Sequence, residues 1–174
     1  MTLLCIGVLE SNRSSMAPHF AQSLRSYRSI VITPHQTINF GPETGTPCLI
    51  FSTERAERLS GLQWDLLLLS RPLSRPLERP IAGRMVVSDS LYNPTSLQIS
   101  SGIISCGNGN RDTITISSTM GDKRILSIQR EIVSLSGRVF EPREIEIPPS
   151  PLELSEQLLL TGGLIALGLL PGVD

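Results

Sequence analysis

The segment LLCIGVL, residues 3–9, is apolar at every position and shows no alternation of apolar and polar side chains. A strand of this kind has to be buried on both faces. It therefore belongs in the middle of a sheet that is covered on each side, as in parallel sheets flanked by helices. The next segments agree. Met16, Phe20, Leu24 and Tyr27 recur at helical spacing beside Ala17 and Ala21, so residues 15–26 read as an amphipathic helix with Pro18 in its first turn. Residues 29–33 and 47–51 read as the second and third strands, joined by a loop over 34–46. A short helix follows from about Thr53 to Gly61, with Glu54 and Glu57 at its positive end. Residues 65–69 and 84–88 supply two more strands, and Asn93 with Pro94 opens a short helix that ends before Gly102.

This succession predicts an α/β fold with a Rossmann-like mixed sheet, parallel in its N-terminal part. The pattern then changes: residues 102–106, 112–118, 124–131 and 138–147 are extended in character, with Gly107, Gly109, Gly121 and Gly137 in the gaps. Short gaps holding glycine predict an antiparallel hairpin extension. The chain is long enough for one domain with a real core. The expected division of the single domain, residues 1–174, is a parallel β/α part over about 1–101, a hairpin-rich part over about 102–147 and an apolar helix over about 151–170. For that last helix Ser150, Pro151 and Glu153 fit an N-cap, a first-turn proline and a capping-box glutamate, and Pro171 and Gly172 fit its end. Its segment LLLTGGLIALGLL is apolar nearly all round but shorter than the ~20 residues a bilayer requires, so burial against the sheet or a second copy is expected rather than membrane contact. The pair Gly162 and Gly163 would let it pack closely on another element.

Composition excludes some functions. A net charge of −1, a charged fraction of 18% and an aromatic fraction of 4% provide neither the basic field nor the stacking surfaces of a nucleic-acid binder. Cys5, Cys48 and Cys106 are odd in number and lie within apolar runs, which indicates buried thiols of a reduced, cytoplasmic protein. With His19 and His35 as its histidines and no Cys-x-x-Cys, the chain offers no compact zinc site, and no metal or cofactor is expected. The first residues lack the basic start of a signal peptide.

The stretch IISCGNGNRDTITISS, residues 103–118, comes nearest to a chemical motif. It gives only the first half of G-x-G-x-x-G, because Asp112 stands where the third glycine belongs and a β pattern follows instead of a helix. Asn108 to Arg111, with its Asn-Gly and Gly-Asn pairs, reads instead as a tight hairpin turn, with Cys106 buried in the preceding strand. GPETGT, residues 41–46, lacks the lysine of a phosphate loop, and G-x-S-x-G is missing. RPLSRPLERP, residues 71–80, places prolines four apart, out of step with a polyproline-II ligand, and reads as a surface loop.

The remaining place for a site is the mouth above the carboxyl ends of the parallel strands. Glu10, Ser11, Asn12, Arg13, Ser14 and Ser15 lead from the first strand into a helix, where hydroxyls, a guanidinium and helix amides could hold a small anionic ligand. Ser88, Asp89 and Ser90 follow another strand and would add an acidic group. The candidate ligand residues are thus Arg13, Ser14, Ser15 and Asp89.

Residues 84–147, above all ISCGNGNRDTITISS and SIQREIVSLSGRVFEPREIEI, resemble the later half of the Mur-ligase central domain and its bacterial relatives. The resemblance implies β-hairpins carried on a Rossmann-like sheet. The family's ATP-binding loop has no counterpart here, so it implies no functional residue. The expectation is a bacterial-type, cytoplasmic, non-catalytic binding or interaction module, homodimeric through the apolar C-terminal helix. The alternative is a small-ligand or nucleotide-binding enzyme using the strand-end mouth.

Overall fold

The computed structural model describes residues 2–73, 76–89, 96–120 and 123–170. The apolar run expected to be central forms strand β1 (Leu4–Leu9), hydrogen-bonded on one side to β4 (Thr46–Thr53) and on the other to β5 (Gln63–Leu69), both parallel. Beyond β4 lies β2 (Tyr27–Ile32), parallel, and then β3 (Thr37–Phe40), an antiparallel edge. Beyond β5 lie β6 (Ile81–Asp89) and β7 (Leu97–Gly107), both parallel, then β8 (Ile114–Met120), β9 (Lys123–Ile128) and β12 (Arg143–Ile147). These ten strands form one mixed sheet, Rossmann-like in its parallel centre and antiparallel across β8, β9 and β12. A separate antiparallel pair, β10 (Ile132–Val133) and β11 (Val139–Phe140), splits the long strand expected over 138–147.

Two helices, α1 (Met16–Ser23) and α2 (Leu154–Ala166), lie on one face over a core that includes Ile6, Val8, Phe20, Leu66, Leu68, Val87 and Ile165. On the other face Leu9, Leu59, Trp64, Leu67, Leu69, Ile81 and Val86 form a smaller core under a 3-10 turn at Ala56–Leu59. Because β1 and the Leu66–Leu69 half of β5 feed both cores, neither stretch can spare an outward polar position, which accounts for their unbroken apolar runs.

Several local expectations are corrected. The loop over 34–46 contains β3, and the helix expected after Thr53 is only the single 3-10 turn, closed by Gly61. Residues 97–101, assigned to a short helix, belong to β7. Leu97, Gln98, Ile99 and Ser100 alternate between half-buried and exposed, a period of two, and β6 pairs along them. Arg75, Ser90, Asn93, Pro94, Gly121, Pro171 and Gly172, for which the sequence also carries expectations, lie outside the described residues.

The expected hairpin at 108–111 is also overturned. β7 and β8 are parallel where they touch, with Cys106 opposite Ile114 and Gly107 opposite Thr115. The Asp112 carboxylate accepts from the Gly109 amide at 2.8 Å and folds the loop back, while the Thr113 amide donates to the Ser105 carbonyl at 2.9 Å. Glycines with positive φ among the described residues are Gly41, Gly61, Gly137 and Gly168, so Gly107 and Gly109 do not use the left-handed freedom of a primed turn. After two pairs β8 leaves β7 for β9, which makes the short connection between parallel strands possible.

The last helix has its capping box three residues later than expected. Glu153 is the N-cap and Glu156 the reciprocal residue, whereas the Ser150 hydroxyl accepts from the Leu152 amide at 3.2 Å. At the other end Gly168 takes φ +88, and the amides of Gly168 and Leu169 donate to the carbonyls of Ile165 and Leu164. This pair of bonds is the Schellman ending that glycine permits, so the helix stops there and does not run on to residue 170. No helix among the described residues is long and apolar enough to cross a membrane. From Gln157 to Leu167 every residue of α2 but Leu160 is buried, against β5, β6, β7 and α1 of the same chain. Its apolar surface therefore requires no second copy to cover it.

Candidate functional site

The order β5-β1-β4-β2 gives the sheet a reversal at β1. The exit of β1 leads to α1 on one face, while the exit of β4 leads to the 3-10 turn on the other. Two loops that part in opposite directions leave a crevice between them at the carboxyl ends of the strands, where open α/β sheets bind ligands. A cavity of about 150 Å³ occupies this place, lined by residues of the β1–α1 loop, by Thr33 to Gln36 after β2, and by Ser52, Thr53 and Glu54 at the end of β4.

Its floor is Glu10, the first residue after β1. The Glu10 amide donates to the Thr53 carbonyl at 3.0 Å, which extends the β1–β4 ladder by one bond and points the side chain into a site only 3% exposed. A carboxylate there requires hydrogen-bond donors. It has two: Ser14 Oγ at 2.6 Å and Ser52 Oγ at 2.5 Å. Ser14 Oγ also lies 2.5 Å from Glu156 Oε1 in the first turn of α2, and it accepts from the Met16 amide at 3.1 Å. Its single hydrogen can serve one carboxylate at a time, so this hydroxyl couples the crevice floor to the start of the last helix.

Of the four residues expected here, the structure brings two together. Ser14 is half-buried in the network and Ser15 lines the cavity as the residue before α1. Arg13 is exposed and does not line the cavity. Asp89 ends β6, two strands away from β1, opposite Cys106 in the β6–β7 register, and does not line the cavity either. Reasoning from sequence did not single out Ser52, Glu54 or His35, because only the parallel order places the ends of β2 and β4 beside that of β1. The charge expectation changes as well. The described lining carries Glu10, Glu54 and His35 and no arginine or lysine, and the first amide of α1 is already taken by Ser14, so an anion meets no guanidinium or ammonium group there. GPETGT joins β3 to β4 at the amino ends of the parallel strands, away from the crevice.

Folding raises the pKa of all three cysteines. Burial pushes the Cys106 thiol up, with Asp112 and Asp89 adding to the effect, and burial raises Cys48 to about 12. Thiols whose pKa is raised by folding keep their protons at pH values where the unfolded chain loses them. The stability this confers is complete below the ordinary thiol value of 9.0 and is lost as pH rises toward about 12. Urea denaturation midpoints are therefore expected to fall between those two limits. A Cys48→Ala/Cys106→Ala variant should show a shallower fall over that range, and an unchanged slope would contradict the assignment.

No protein-family model matches the chain, and no curated protein matches its sequence. Among solved structures, a murein peptide ligase from Psychrobacter arcticus matches with a TM-score of 0.56 at 7% identity, over 96% of this chain and 44% of that one. The likeness is one of fold. It extends over nearly the whole chain, and the chain spans less than half the length of that neighbour.

Proposed function

We propose that the chain is a non-catalytic binding module that takes a small hydrogen-bond-donating group, an amine or polyol end, into the crevice at the carboxyl ends of β1, β2 and β4. The observation that carries this reading is the buried Glu10 carboxylate at the sheet's reversal point, held by the Ser52 hydroxyl and by the Ser14 hydroxyl that it shares with Glu156. Each carboxylate oxygen can accept more than one hydrogen bond, so acceptor capacity remains for a ligand donor. Glu54 on the rim adds a second acidic group. The small volume suits one end of a ligand rather than a nucleotide. The neighbour's peptide-ligating reaction is not carried over, since no phosphate-loop sequence stands in these residues.

Calorimetric titration with ethanolamine, glycerol, inorganic phosphate and ADP tests the reading. Ethanolamine or glycerol is expected to bind, and Glu10→Gln to weaken that binding by about tenfold or more, the scale of one hydrogen bond to a charged group. Phosphate or ADP binding in preference to both would overturn the reading and favour a nucleotide protein. Amine binding that is indifferent to Glu10→Gln would overturn it too.

A further inference from the structure

We propose that the groove between α1, α2 and the segment joining β12 to α2 is a second ligand site, for a small amphipathic acid that also carries an O–H or N–H donor. The groove encloses about 430 Å³ and, among the described residues, shares no lining residue with the strand-end crevice. That volume lies within the range of roughly 300–1,000 Å³ typical of small-molecule sites.

Three features define the ligand. Gln157 lines the groove and is 3% exposed. Its Nε2 donates to the Leu152 carbonyl at 2.6 Å and to the Ser150 carbonyl at 3.4 Å. Turning the amide over would set its oxygen against two carbonyl oxygens, so the orientation is determined. Gln157 Oε1 then lies buried with no hydrogen-bond partner among the described residues. Buried acceptors are nearly always satisfied, so this one calls for a donor from whatever fills the groove. The second feature is Arg25 on the wall, exposed and without an ion pair to a described residue, which calls for an anionic group. The third is the apolar lining of Leu160, Leu164 and Leu169, which calls for a hydrocarbon or aromatic body between the two polar ends.

Nuclear magnetic resonance titration of the full chain with para-hydroxyphenylacetate tests this, beside para-methoxyphenylacetate, which lacks the donor, and tyramine, which reverses the charge. Saturable shifts are expected at the Gln157 side-chain amide with the hydroxy acid. Affinity should drop by about tenfold for the methoxy acid, and tyramine should give no saturation. Arg25→Gln should weaken the hydroxy acid, and Gln157→Leu, or Gln157→Met where leucine does not fold, should abolish the preference for hydroxyl over methoxy. No saturable shift with the hydroxy acid would leave the groove to water and overturn the proposal. Equal affinity for the three probes, or shifts confined to other surfaces, would overturn it as well.

Discussion

Trp64→Ala is expected to lower the free energy of unfolding by about 3–5 kcal/mol, the usual cost of truncating a buried indole. The side chain is 2% exposed, its ring stacks on Phe51 with centroids 6.2 Å apart, and its N–H donates to the Leu59 carbonyl at 2.9 Å. The core on that face is small, and the indole is its largest member. Collapse into the void is opposed because the nearest element on β1 is Gly7, whose position would bring a Cβ within 3.1 Å of the ring and so has no side chain to move inward. Urea denaturation followed by circular dichroism measures the loss. A change below about 1 kcal/mol, the size of an ordinary surface substitution, would show that the second core is not organised around this ring.

The second large effect is expected at the glycine pair of α2. A Cβ at Gly162 would stand 2.6 Å from Val87 Cγ1 and 3.1 Å from Cys106 Sγ; at Gly163 it would stand 2.9 Å from Leu68 Cδ2 and from Phe20 Cε2. The helix thus rests with its backbone against the sheet. Leaving glycine in a helix interior costs about 1 kcal/mol relative to alanine, so replacement offers a local gain. Overpacking works against it, at about 1–3 kcal/mol for each site. Gly162→Val and Gly163→Val should each destabilise the chain, and the double variant should lose more than either alone. A double variant as stable as the parent would mean that α2 can lift off the sheet without loss.

The central strand, the amphipathic helix, the parallel character of the N-terminal part and the close packing at Gly162 and Gly163 are legible in the residues, because each leaves a local signature: an unbroken apolar run, a period near 3.6, or small residues in an apolar helix. What was not legible depended on partners far away in the chain. Residues 97–101 are strand because β6 pairs with them, and nothing within the segment announces that pairing. The Asn-Gly pair at 108–109 carries hairpin chemistry, yet the Asp112 side chain and the Ser105 carbonyl hold it in another turn. The site was half legible for the same reason. Glu10 and Ser14 follow β1 directly, whereas Ser52 comes beside them only through the β1–β4 register, in which Val8 stands opposite Ser52. Arg13 looked suited to an anion by its type alone, and its exposed position removes it from the cavity.

The position of α2 also bears on how the chain is made. The helix closes over Val87, Cys106 and Leu68, all on strands synthesised long before it; the Cys106 thiol that donates to the Leu158 carbonyl is separated from it by 52 positions. A nascent chain that has not yet released residues 154–166 from the ribosome presents one face of a nearly complete sheet without its cover. Contacts this distant in sequence form slowly. The growing chain is therefore most exposed to aggregation in the interval between release of these strands and the docking of α2.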